Sequence, residues 1–221
     1  MTKKSNIFYS NSYKNLELKI QNFLNNQPGF LSASTANSPR AVGDAVQDIL
    51  AANFEKIIDD QGLNYSAKFA RRAMADLAFN DKDGFYYVVD VKTHRLDTVF
   101  NMPNLTSVER LARFYEDDLN YFVVLKIDYE VTRTKAVIKK VNFVPIEFLS
   151  WDCLTIGALG WGQIQIANSN HVKIVPQNSR KKWMIELCDN LFQFYPNEIS
   201  KINERIIYFK KIKEFWEKRK V

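Results

Sequence analysis

Three ionisable residues, Asp76, Asp90 and Lys92, have the types and spacing of a reactive centre. Asp90 and Lys92 end a segment, residues 85–92, that is rich in aromatic and β-branched residues and therefore typical of a strand. Strand alternation puts their two side chains on the same face. Asp76 lies in the apolar segment before it, and the polar turn at residues 81–84 predicts that the two segments pair as a hairpin. We therefore expect two carboxylates and one ammonium group to converge.

Such a group of side chains suits magnesium and phosphate chemistry. Mg²⁺ takes oxygen ligands and keeps several waters, so Asp76, Asp90 and the backbone carbonyl of Val91 are candidate ligands. A bound ion would polarise a phosphate and lower the pKa of a bound water. Lys92 would orient the attacking water, or help to deprotonate it, and would offset charge in the transition state.

A simpler interpretation is an ordinary surface ion pair between Asp90 and Lys92, worth less than about 1 kcal/mol. The surrounding residues favour the metal site instead. Residues 86–89 are apolar or aromatic, and Asp76 lies between Met74-Ala75 and Leu77-Ala78. Acids in apolar strands are unfavourable unless they bind something, and one metal ion would serve both acids.

These segments resemble the PD-(D/E)xK nuclease superfamily, and within it the HincII/EcoRV-like type II restriction endonucleases. Ala75-Asp76 followed by Asp90-Val91-Lys92-Thr93 fits the family motif, with Ala in place of Pro and Asp in place of Glu. Residues 100–107 resemble a Pro-Asn-x-x-Ser segment of HincII-like enzymes, and residues 162–166 resemble a later strand. The resemblance covers roughly residues 40–170.

The resemblance implies a Mg²⁺-dependent enzyme that cuts double-stranded DNA at a short palindromic site as a homodimer, and a cognate DNA methyltransferase in the same system. It favours blunt ends. It also implies an acid on the helix before the hairpin. Gln47 is the position that matches this acid, and Asp44, Asp48 or Glu55 could substitute for it.

Further polar residues are candidates for contacting DNA. Arginine suits phosphates and guanine, asparagine suits adenine, and Gln163 and Gln165 share one face of a predicted strand. Helix capping by Asn104, or a solvated polar face, would explain the same residues without DNA. The complete set is Arg71, Arg72, His94, Arg95, Asn101, Asn104, Ser107, Gln163, Gln165, Asn170 and Lys173.

The pattern of the chain predicts an α/β (α+β) fold, a central mixed β-sheet flanked by helices with a restriction-endonuclease-like core. Apolar spacing predicts helices over residues 12–26, 41–59 and 104–115, strands over 120–129 and 136–144, two short strands within 163–175, and a last helix that begins at Pro196. We expect a single domain, residues 1–221, composed of an N-terminal helix and loop (1–39), a catalytic and DNA-reading core (40–175) and C-terminal helices (176–221).

The composition agrees with a cytoplasmic protein. The formal net charge of +6 permits a polyanionic partner without requiring one. The sequence has no apolar run of membrane-spanning length and no secretion signal, and Cys153 and Cys188 are expected to be reduced core residues. Two other functions stay open: a structure-selective repair or junction-resolving nuclease, and a non-catalytic DNA-binding protein on a nuclease scaffold.

Overall fold

A computed structural model describes residues 4–29, 31–32, 35–58, 64–65 and 76–219. The α-helices among these residues are α1 (Asn6–Tyr9), α2 (Ser12–Asn25), α3 (Pro39–Ile58), α4 (Val108–Phe114) and α5 (Arg180–Glu217). The strands are β1 (Asn64–Tyr65), β2 (Leu77–Asn80), β3 (Tyr86–Arg95), β4 (Asn104–Ser107), β5 (Asn120–Thr132), β6 (Lys135–Pro145), β7 (Leu154–Gly157) and β8 (Gln163–Ile166). The chain divides into two compact units, one up to Ser179 and one from Arg180 onward.

The larger unit is built on a five-stranded mixed sheet with the order β1-β2-β3-β5-β6. Strands β3 and β5 are parallel, and the other neighbouring pairs are antiparallel. A parallel pair needs a crossover connection, and here β4 and α4 lie within it. The prediction of a mixed α and β fold, with a mixed central sheet flanked by helices, is confirmed.

Helix α2 contacts β6, one of the two edge strands of this sheet, through polar side chains one helical turn apart. The Phe143 amide donates to Glu17 Oε1 at 2.9 Å, and the Gln21 and Asn25 side chains donate to the Ile138 carbonyl at 3.2 and 3.0 Å. An edge strand presents unpaired backbone groups. These side chains satisfy several of them.

Helix α3 places a continuous apolar stripe in the core of the same unit. Val42, Val46, Leu50, Phe54 and Ile57 are all buried, as their helical spacing predicts. The stripe fixes which face of α3 points to the core, and it therefore also fixes the direction of the polar residues beside it.

A second, three-stranded sheet has the order β4-β8-β7. Its first strand corrects the prediction that a helix begins at Asn104, because Asn104–Ser107 pairs with β8 and α4 begins only at Val108. Ser107 is the N-cap, and its side chain accepts from the Arg110 amide. Only one strand, β8, forms within residues 163–175. Ile174 makes an isolated bridge with Leu149 instead of belonging to a second strand.

The second unit contains α5, a single helix that continues through Pro196. The prediction that a helix begins at Pro196 is therefore wrong. A proline in a helix interior is unfavourable by about 3 kcal/mol. The helix nevertheless continues, and the apolar residues keep the same helical spacing before and after Pro196. Cys153 is buried and Cys188, on α5, is exposed, so only the first of the two cysteines is a core residue. None of the described helices is long and apolar enough to cross a membrane.

Candidate metal centre

The β2–β3 hairpin brings the three predicted residues together. Asp76 immediately precedes β2, and its amide donates to the Val89 carbonyl at 3.0 Å. The Val91 amide donates to Asp76 Oδ2 at 2.7 Å, so the carboxylate is held beside the end of the hairpin. On β3, Lys92 Nζ lies 2.6 Å from Asp90 Oδ1. Hairpin pairing and strand alternation thus produce the expected convergence.

Asp90 is the most unusual group at this centre. The residue is 6% exposed, and its Oδ2 atom has no hydrogen-bond partner among the described residues. Burial raises the pKa of Asp90 to about 7; the Lys92 ammonium opposes this, and the Asp76 carboxylate adds to it. A buried carboxylate oxygen without a donor is a site at which a cation would be stabilised.

Gln47 on α3 completes the arrangement, and Gly43 allows it. A Cβ atom at position 43 would lie 2.7 Å from Thr93 Oγ1, so glycine permits α3 to approach β3 closely. One turn later, Gln47 Nε2 donates to Asp76 Oδ1. The helix position that the resemblance selected therefore contacts the first acid. Its amide oxygen is the atom that could face a metal ion.

An open pocket of about 430 Å³ lies next to this group. Gln47 and Lys92 contribute to its wall, and so do Arg40 and Asp44 from the first turns of α3. Arg40 was not among the predicted residues, although its spacing of seven from Gln47 places the two side chains on the same helix face. The lining residues are Pro39, Arg40, Gly43, Asp44, Gln47, Val91, Lys92, Thr93, Asn101 and Pro103.

The donor atoms fit magnesium, a cation that prefers oxygen. Asp76 and Asp90 supply carboxylates, and the Val91 carbonyl and the Gln47 amide oxygen are further hard donors. Within the described part of the chain no group of three His, Cys, Asp or Glu side chains is placed to hold a metal ion. A magnesium site formed by two carboxylates, an amide oxygen, a backbone carbonyl and retained waters needs no such group of three.

The predicted DNA-contacting residues occupy different environments. Asn101 lines the pocket beside the acids, whereas His94 is only 2% exposed and its Nε2 lies 2.9 Å from Asn170 Oδ1. Arg95 pairs with Asp97 at 2.7 Å. Lys173 pairs with Asp152 and stays exposed. Arg71 and Arg72 lie outside the described residues.

Asn170 is a junction within the protein. Its Nδ2 atom donates to the Thr98 and Val99 carbonyls at 3.0 and 3.1 Å, while its Oδ1 faces His94. The amide thus connects the end of β3, the loop after it and the turn at residues 168–171. These interactions use the donors and the acceptor that a base contact would need. The geometry therefore indicates a positioning role for Asn170, which sequence alone could not separate from DNA contact.

The second sheet displays the two predicted glutamines. Ile164 and Ile166 are fully buried while Gln163 and Gln165 are partly exposed, so the predicted alternation is correct. Gln165 Nε2 donates to Asn104 Oδ1 at 2.5 Å, across the β4–β8 pair. Gln163 and Ser107 line a second pocket, of about 450 Å³, together with the exposed Trp161. This surface was not predicted to include a tryptophan.

Comparison with known proteins assigns no family to this arrangement. No protein-family model matches the chain, and no curated protein matches it significantly.

Proposed function

We propose that this protein is a magnesium-dependent nuclease that hydrolyses phosphodiester bonds of double-stranded DNA, a type II restriction endonuclease with a restriction-endonuclease-like core. One observation carries the proposal. Asp90 keeps a buried, unpaired carboxylate oxygen beside a second carboxylate and a lysine, and that lysine, Lys92, lines an open pocket. A purely structural ion pair has no need of the second acid or of the opening.

In this proposal Asp76, Asp90 and the Val91 carbonyl hold the ion, and Gln47 orients Asp76 through the contact of its side-chain amide. When bound, magnesium would polarise the scissile phosphate and acidify a water. Lys92 orients the attacking water. The oxygen of this water forms a bond to phosphorus while the bond between phosphorus and the leaving sugar oxygen breaks. The Lys92 ammonium also offsets negative charge on the phosphoryl oxygens.

Arg40 and Asn101 lie on the same pocket wall, and they suit the phosphates and bases that flank the cut. Gln163, Gln165 and Asn104 form a separate amide surface on the second sheet, which could read base edges. A palindromic site cut on both strands needs two copies of the centre, so the proposal includes a homodimer. It also includes a cytoplasmic location and a cognate methyltransferase that protects the host DNA.

Cleavage of phage or plasmid DNA tests the proposal. Wild-type protein with Mg²⁺ should give discrete, reproducible bands, and EDTA should abolish them. Asp90→Ala should give no bands. Asp48→Ala should cut like wild type, because Asp48 is exposed and Gln47, for which it was an alternative, is the α3 residue that contacts Asp76. Absence of cleavage by wild type, or equal cleavage by Asp90→Ala, would overturn the proposal. Cleavage confined to branched DNA would favour the junction-resolving alternative.

A further inference from the structure

Helix α5 carries an apolar repeat of alternating three- and four-residue steps along most of its length. This is the a/d pattern of a coiled coil. Pro196 lies beside the repeat and not within it. The residues in these positions are Ile185, Cys188, Phe192, Tyr195, Ile199, Ile202, Ile206, Phe209, Lys213 and Trp216.

The large apolar side chains of this stripe are exposed. The exposure ranges from 38% at Tyr195 to 73% at Phe192, and Ile199, Phe209 and Trp216 are each about 60% exposed. Side chains of this size and exposure present roughly 1,000 Å² of surface, more than the ~800 Å² that each partner of a stable interface buries. A continuous exposed stripe of this area marks an interaction surface.

We propose that α5 pairs with α5 of a second copy of this chain as an antiparallel two-helix coiled coil. In the register that the charges select, Ile199 packs against the partner's Ile202, and Ile206 packs against the partner's Tyr195. Further out, Phe192 meets the partner's Phe209 and Ile185 meets the partner's Trp216. Lys213, the single charged residue in the stripe, lies opposite the partner's Cys188 near the end of the pair.

Charge complementarity selects this register. The positions that flank the stripe place Glu198 opposite the partner's Arg205, Asp189 opposite the partner's Lys210, and Lys182 opposite the partner's Glu217. The two-fold axis repeats each pair. Glu198 already contacts Lys201 of its own helix at 2.7 Å, so the partner's Arg205 would join an existing ion pair.

A parallel pair and the two neighbouring antiparallel registers of the same stripe each place like charges together. A parallel pair would set Lys213 against the partner's Lys213 and Arg205 beside the partner's Lys210. An antiparallel pair shifted by one heptad would set Glu198 against the partner's Glu198 in one direction, or Arg205 against the partner's Arg205 in the other. Like charges at flanking positions disfavour a coiled-coil partner or register.

The pairing gives an interface to the homodimer that the proposed function includes, and it is inferred from the sequence and exposure of α5. It identifies the surface that joins two copies and the direction in which the two helices run. An inactive Asp90→Ala variant should therefore dimerise like wild type, so the two proposals can fail separately.

Sedimentation of the full chain over a range of concentrations tests the pairing. Wild type should be a dimer, and Glu198→Lys should weaken dimerisation about tenfold or more, because it replaces two attractions by two repulsions. The double variant Glu198→Lys with Arg205→Glu should restore it. A wild type that stays monomeric at all concentrations, or a double variant as weak as the single one, would overturn the proposal. So would binding of a monomer to anionic lipid vesicles through α5.

Disulfide cross-linking tests the direction. In a Lys213→Cys variant, copper phenanthroline should join Cys188 to the thiol introduced at position 213 of the partner subunit, and mass spectrometry of the linked peptides should identify the bond. Lys211→Cys is the matched control, because position 211 lies on the side of the helix away from the stripe, and it should not cross-link. A bond between Cys188 and the partner's Cys188 in wild type would show a different register and contradict the proposal.

Discussion

Two lysine–aspartate pairs lie on one face of the main sheet, on neighbouring strands. Asp90 and Lys92 are on β3, and Lys126 and Asp128 are on β5, with the same spacing of two residues in the reverse order. Lys92 and Lys126 are direct neighbours in the parallel register, so the two pairs lie side by side. By residue type and spacing they are nearly equivalent.

Their surroundings differ. Lys126 and Asp128 are 6% and 9% exposed, and they contact each other directly. Burial lowers the pKa of Lys126, and Asp128 opposes this change. On β3, Lys92 is 23% exposed at the pocket wall, Asp90 retains an unpaired oxygen, and Asp76 adds a second negative charge. The second acid, the unpaired oxygen and the opening therefore distinguish the β3 pair, which the proposed function uses, from the β5 pair.

The largest expected difference between the two pairs is in DNA cleavage. Asp90→Asn and Lys92→Met should each lower the cleavage rate by roughly 10²–10³-fold or more, because in the proposed function each removes a group that holds the ion or orients the attacking water. The double variant Lys126→Met with Asp128→Asn should retain the wild-type rate within about threefold, because the β5 pair is buried and its two side chains contact each other. Single-turnover cleavage of one plasmid site measures both. Equal losses in the two pairs would mean that the β5 pair belongs to the centre.

The next largest expected effect is on stability. Here the substitution in the β5 pair should have the larger effect, whereas for cleavage the β3 substitutions do. Lys126→Met leaves Asp128 buried without its cation, so it should lower the free energy of unfolding by about 3–5 kcal/mol. Lys92→Met should lower it much less, because Lys92 is partly exposed and burial already favours the neutral form of Asp90. Urea denaturation at pH 7.5 in EDTA measures both variants. A larger loss for Lys92→Met would contradict this assignment.

Local patterns made much of the fold predictable. The α3 stripe, the β2–β3 hairpin and strands β5 and β6 follow from periodicity and turn residues that lie within a few positions of one another. Strand β4 could not be distinguished from a helix start, because its partner β8 is about sixty residues further along the chain. At Pro196 the usual preference of proline for a helix start was misleading, since the apolar spacing continues on both sides.

The centre itself was predictable for a similar reason. Asp76, Asp90 and Lys92 are brought together by a single hairpin. Strand alternation and one turn were therefore sufficient to predict that the three side chains lie close together. The surrounding contacts are non-local. Gln47 reaches Asp76 only because Gly43 lets α3 approach β3, and Asn170 bonds carbonyls about seventy residues before it. A polar residue in a loop looks the same in sequence whether it faces DNA or its own backbone.

Substitution of Asn170 tests whether its hydrogen bonds hold the loop after β3 in position. Asn170→Ala removes the donors to the Thr98 and Val99 carbonyls, and it should loosen the loop that carries Asn101. We expect KM for DNA to rise by roughly tenfold with a smaller change in kcat, because the reactive groups themselves stay in place. His171→Ala, at the exposed neighbouring position, is the control and should change neither constant. An unchanged KM in Asn170→Ala would show that the junction does not position the loop.

The smallest expected effect concerns the stability of the metal-free protein. The pKa of Asp90 is raised to about 7 in the folded state, so between about pH 4 and pH 7 the folded protein binds more protons than the unfolded one. The contribution of this group to stability therefore falls as the pH rises through that range. The side-chain amide that an Asp90→Asn variant carries instead cannot ionise.

In EDTA, Asp90→Asn should therefore raise Tm at pH 8 by roughly 2–4 °C and have less effect at pH 5. Magnesium should make wild type the more stable of the two at pH 8, because in the proposed function the ion needs the Asp90 carboxylate and would stabilise wild type alone. Asp128→Asn should lower Tm at both pH values, because it leaves Lys126 buried without its partner. Thermal melts of the three proteins provide the measurement. If Asp90→Asn were less stable than wild type at pH 8 in EDTA, Asp90 would be a satisfied structural partner like Asp128, and the distinction between the two pairs would disappear.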